Sequence, residues 1–195
     1  MTMLLPHHYA LSEAVIVVAG SIAVVRAARG GPWLALGLAP FILAALVGTV
    51  RIGFTLENAD LVALHQALSR LGGLFGLGCL FGLIWRRTGL GAPLLGLAAL
   101  AKGWLAPALT PALFIVLSLA GAGLIWRARD ENKWLHSLGF LLLVGARLVA
   151  DQFREAQPDL AWHFFHLLVA LWVWQTAATL TRLARPMAPL LKRAA

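Results

Sequence analysis

Nine ionisable side chains lie inside apolar stretches of this sequence: Glu13, His65, Arg70, Lys102, His136, Arg147, Asp151, His163 and His166. Each is costly to hold in hydrocarbon and tends to face a bundle interior, so each is a candidate site residue. The sharpest local feature is His163-Phe164-Phe165-His166, because a separation of three puts both imidazoles on neighbouring positions of one helix face, where they could ligate a single ion. His65 and the carboxylate of Asp151 would complete a zinc sphere of three histidines and a carboxylate, or of three histidines and water. Two other readings stay open. The histidines could be interfacial residues bonded to backbone or water, or His65 with either His163 or His166 could bind a b-type haem axially. His7 and His8 precede the first apolar run and are expected to be solvated.

A zinc ion would bring its bound water to a pKa of about 7 and polarise a carbonyl. Asp151 or Glu13 would then serve as general base, and Arg70 or Arg147 would stabilise developing negative charge or hold a phosphate. Arg147 and Asp151 stand four apart, so an intrahelical ion pair competes with metal ligation by Asp151. Arg70 has no local partner and calls for Glu13, an anionic substrate group or backbone carbonyls. Lys102 can snorkel along its stem towards an interface. The single cysteine, Cys79, rules out a disulfide framework and a CxxC metal site, and reads as a packing residue.

These groups need helices to position them. The chain is 61% hydrophobic and 12% charged, against about 45–50% and about 25% in a soluble domain. With about 20 apolar residues needed per crossing, the 195 residues supply about seven spans and no soluble domain. The expected spans are 9–28, 32–52, 60–85, 88–106, 109–126, 133–154 and 160–183, the fourth being interrupted by Gly89, Gly91, Pro93, Lys102 and Pro107. The fold expected is therefore an all-α, polytopic membrane bundle in one domain, since open strands would leave backbone groups unpaired in lipid. The glycines of span three (Gly72, Gly73, Gly76, Gly78 and Gly82) suit close helix packing. Trp33, Trp85, Trp126, Trp134 and Trp162 suit interfacial anchoring.

The net charge of +8 does not form a nucleic-acid patch, because the basic residues sit between apolar runs. Arg26, Arg29, Arg86, Arg87, Arg127, Arg129, Lys133, Arg182, Arg185, Lys192 and Arg193 fall on one side, and only Arg51 and Arg154 on the other, which also holds Glu57, Asp60, Glu155 and Asp159. By the positive-inside rule the N-terminus faces out and the C-terminus in. The first run is expected to be a retained span, and helical spans point to a bacterial inner membrane. At about 1.5 Å per residue, Glu13, His65, Asp151, His163 and His166 all lie within about a turn or two of the outer ends of their helices, at one shared level. His136 enters from the inner end and falls outside this group.

That arrangement resembles the superfamily of seven-span hydrolases that includes alkaline ceramidases and the progestin/adiponectin-type receptors. Glu13, His65 with Ser69, Asp151 and the pair His163/His166 stand where those proteins carry an early acid, a histidine and serine, an aspartate and a closely spaced histidine pair around zinc. The resemblance implies hydrolysis of an amide or ester bond in a lipid-like substrate near the outer leaflet. The pair here is HxxH instead of HxxxH, and the other histidine and the aspartate fall on spans three and six instead of two and three. The stretch Asp159 to Leu168 also looks like uncharacterised small bacterial membrane proteins. A haem- or quinone-linked electron carrier, and a metal-binding, transport or accessory subunit, are the competing expectations.

Overall fold

Apolar side chains on all faces of a helix suit a helix buried in lipid or protein, and in such surroundings the backbone must satisfy its own hydrogen bonds. The computed structural model, which describes residues 5–27, 31–56, 58–86, 90–128 and 131–184, follows this rule with helices joined by short turns and no strand among the described residues. Arg29, Glu57, Arg87, Gly89, Arg129, Arg185, Lys192 and Arg193 lie outside the described residues.

The helices are α1 (Tyr9–Ala27), α2 (Pro32–Gly53), α3 (Ala59–Ala67), α4 (Gly73–Arg86), α5 (Gly91–Leu105), α6 (Thr110–Trp126), α7 (Lys133–Phe153) and α8 (Pro158–Ala184). A π-helical segment, Leu68–Gly72, joins α3 to α4, so the two run on as one rod and the eight helices make seven rods among the described residues. Six rods are long and apolar enough to cross a membrane; the exception is α5, with 15 residues, about 22 Å at the usual rise. The expected span 88–106 is thus shortened. Ala106 leaves helical geometry and Pro107 opens a 3₁₀ turn, Pro107–Leu109, that hands the chain to α6.

Local chemistry accounts for several boundaries. Pro32 starts α2, where its fixed φ is favourable and its missing N–H costs nothing. Asn58 caps α3 by accepting a hydrogen bond from the Asp60 amide at 2.8 Å. Pro40 lies inside α2, and facing it at Gly72 a Cβ would come within 3.2 Å of the proline ring, so glycine allows the π segment to pass.

The core is centred on Trp172, fully buried, which stacks obliquely on Phe41 and donates from Nε1 to the Phe140 carbonyl at 3.0 Å. Around it α1 packs on α2 and α8, α7 on α6 and α8, and α4 on α2, α5 and α6. The glycines of span three act as the sequence suggests. Gly76 abuts the Gly37 carbonyl of α2, and Gly78 and Gly82, one turn apart, face the backbone of α5 at Leu95, Gly96, Gly91 and Ala92. Trp126 and Trp134 meet edge to face at 4.5 Å and Lys133 lies over Trp126, whereas Trp162 belongs to the site described next.

Candidate functional site

Antiparallel packing brings the start of α1 against the end of α2, and parallel packing brings it against the start of α8. A Cβ on Gly53 would touch Ala10, and one on Gly48 would meet Glu13 Oε1 at 2.5 Å and His65 Nε2 at 3.1 Å. Glycine at 48 therefore opens the space that Glu13 and His65 occupy. Glu13 is 2% exposed, and its Oε1 stands 3.5 Å from His65 Nε2 and 3.2 Å from His166 Nε2. Three helices, α1, α3 and α8, thus place one carboxylate between two imidazoles.

The surroundings fix the orientation of His166. Its Nδ1 lies 2.7 Å from the Trp162 carbonyl, and since a carbonyl only accepts, Nδ1 carries a proton and Nε2 is the nitrogen turned to Glu13. Trp162 in turn lies over the His166 ring at 4.5 Å and stacks on Tyr9 at 4.6 Å, while its Nε1 donates to the Tyr9 carbonyl at 3.2 Å. The Tyr9 hydroxyl donates to Asp159 at 2.6 Å, tying the first turn of α1 to the first turn of α8. Sequence reasoning treated Trp162 as an anchor and Asp159 as a loop charge; Tyr9 and Gly48, which complete the site, gave no motif.

Other residues proposed from sequence go elsewhere. Asp151 is bonded to Arg147 Nε at 2.8 Å and to Arg154 Nη2 at 2.7 Å on the exposed side of α7, so the intrahelical pair forms and Asp151 does not join Glu13. His163 is half-buried at the rim, with its ring 5.3 Å from His8 and 5.7 Å from Tyr9. His8 is half-exposed and lies 3.8 Å from Asp159. Arg70 and Ser69 sit exposed in the π segment, and Lys102 is exposed on α5. His136 lies buried at the other end, where its Nδ1 is 2.8 Å from the Thr179 hydroxyl.

Of the four residues expected to bind zinc, His65 and His166 face one Glu13 oxygen while Asp151 is held by Arg147 and Arg154, and among the described residues no group of three or more His, Cys, Asp and Glu side chains is arranged to hold a metal ion. For a haem the obstacle is Glu13, whose carboxylate oxygen already faces the Nε2 atoms of both His65 and His166.

Gly48→Ala tests the geometry directly. The added methyl must displace the end of the Glu13 side chain, since contacts under about 3 Å are repulsive, and overpacking of about 1–3 kcal/mol is partly offset by the preference of a helix for alanine over glycine, about 0.5–1 kcal/mol. A melting temperature above that of the parent protein would contradict the described approach of α2 to Glu13. No family model, curated protein or solved structure matches the chain.

Proposed function

We propose that this chain is an integral membrane protein that takes up and releases a proton at Glu13, acting as a carrier or relay at the outer side of the membrane. The observation that carries this reading is the buried Glu13 oxygen facing the Nε2 atoms of His65 and His166 while His166 Nδ1 is committed to a carbonyl. A carboxylate and an unprotonated imidazole nitrogen both only accept hydrogen bonds, so they repel unless a proton lies on one of them. A bare carboxylate in an apolar interior would cost several kcal/mol, and a shared proton removes that cost. Buried carboxylate and histidine chains of this kind serve as proton relays in membrane proteins.

The rim supplies a route to the surface: His163 and His8 stack beside Tyr9, whose hydroxyl bonds Asp159. In this reading the chain spans a bacterial inner membrane as a single domain with the N-terminus outside, α5 completing the odd number of crossings that the charge distribution requires.

The test is a pH-difference infrared spectrum of purified protein in neutral detergent, scanned across about pH 4 to 8 where carboxyl and imidazole groups titrate. A carboxyl band is expected that disappears in Glu13→Gln and moves in His166→Leu. If parent and Glu13→Gln give the same spectrum, the proton reading is overturned. Stoichiometric zinc that copurifies with the parent and is lost from Glu13→Gln would replace it with a metal site.

A further inference from the structure

Arg51 was counted from sequence as an outer-loop charge, but it lies in the last turn of α2 and is only 8% exposed. Its Nε is shielded from solvent and has no hydrogen-bond partner, and among the described residues no ion pair or hydrogen bond involves its side chain. The backbone there is already satisfied: the Arg51 carbonyl accepts from the Leu56 amide at 2.8 Å, and Thr55, at φ 50, turns the chain over it. The unmet requirement is therefore that of the guanidinium, at its shielded Nε. An arginine stays charged in a protein, and a buried charge without a counter-charge is strongly unfavourable.

We infer that Arg51 is the anchor of an oxyanion site, taking a phosphate group that enters at the outer end of the bundle beside the turn between α2 and α3. The planar guanidinium offers paired donors that match phosphate oxygens, which a lysine could not do. The level of the site follows from the packing of α2. Gly53 faces Ala10 and Gly48 faces Glu13, so Arg51 lies between them, at the outer ends of the helices where lipid phosphates also lie. Free phosphate and an anionic headgroup share this chemistry, and the experiment separates them. The inference stands on Arg51 and does not depend on the proton chemistry of Glu13.

Purified protein in dodecyl maltoside and phosphate-free buffer is melted with increasing inorganic phosphate, and in a second arm with increasing dioleoyl phosphatidylglycerol. One or both are expected to raise the melting temperature. A response to phosphate assigns the free ion, and a response to the lipid alone assigns the headgroup. In Arg51→Gln the half-saturating concentration should rise at least about tenfold, as expected for truncating a buried charged contact, with Arg51→Lys in between. A further variant, Arg51→Met, guards against misfolding as an explanation. Without phosphate or anionic lipid it should melt higher than the parent, because it removes an uncompensated charge, and addition of the effective ligand should reverse the order. The site is overturned if neither ligand shifts the parent, if Arg51→Gln responds equally, or if Arg51→Met is the less stable protein in the absence of ligand.

Discussion

Exchanging His166 for leucine is expected to lower the unfolding free energy by about 3 kcal/mol, towards the lower end of the range for breaking a buried charge pair. The reason lies in what remains. Glu13 is 2% exposed and keeps only His65, at 3.5 Å and with a side chain 14% exposed, so the better-buried of its two counter-groups is gone. Leucine also ends the hydrogen bond to the Trp162 carbonyl and alters the packing beneath Trp162. A double-variant cycle separates these causes. Glu13→Gln removes the charge that His166 offsets, so Glu13→Gln with His166→Leu should be more stable than His166→Leu alone, although adding a second substitution ordinarily costs stability. The measurement is thermal or denaturant unfolding of all four proteins in one detergent. Strict additivity would mean that Glu13 and His166 do not sense each other, and the electrostatic account of the site would fall with it.

The parts of this site legible in the sequence were those that depend on depth along a helix. Glu13, His65 and His166 were placed at one level by counting residues from the span ends, and the structure brings these three together. Rotation about a helix axis was the missing variable. On α7 the buried stripe runs through His136, Gly139, Phe140, Leu143, Ala146 and Ala150, and Arg147 and Asp151 each follow a buried alanine by one position, about 100° round the helix. They therefore share an exposed face, where Arg154 also reaches Asp151. His163 and His166 show the same effect on a smaller scale. Three residues leave a lag of about 60°, enough for His166 to face Glu13 while His163 turns to His8 and Tyr9.

Charge counting failed in a different way at Arg51. The positive-inside rule weighs basic residues near span ends without asking how far each side chain is exposed, and Arg51 is almost wholly buried. A spacing clue was present, since Gly48 and Arg51 lie three apart in α2 and so on neighbouring positions of one face. Nothing in one sequence marked that face as the one turned to Glu13. The shortening of α5 was signalled by Pro107, but its apolar composition matches that of a full span, and only the 3₁₀ turn shows where the helix stops.

The same substitution, glycine to alanine, should have opposite effects at two positions. At Gly145 of α7 a Cβ meets nothing within 4 Å, so Gly145→Ala gains only the loss of backbone freedom in the unfolded chain and should stabilise by about 0.5–1 kcal/mol. At Gly82 of α4 a Cβ would lie 2.7 Å from the Ala92 Cα and 2.8 Å from the Gly91 carbonyl oxygen. Both are backbone atoms of α5, which no rotamer change can move aside. Gly82→Ala must push the helices apart and should destabilise by about 1–3 kcal/mol. Gly78, one turn before it, meets the Leu95 carbonyl at 2.7 Å and the Gly96 Cα at 2.9 Å, so the two glycines form one seam. In lipid, where apolar surface gives little drive for helices to associate, such close backbone approach is what holds a short helix in place. Because α5 packs almost wholly on α4, the combination Gly78→Ala with Gly82→Ala, which opens that one seam, should release it. Protease sensitivity of the Ala106–Leu109 turn then reads the release, with Gly145→Ala as the matched control. Equal melting of Gly82→Ala and Gly145→Ala would show that α4 and α5 do not meet backbone to backbone.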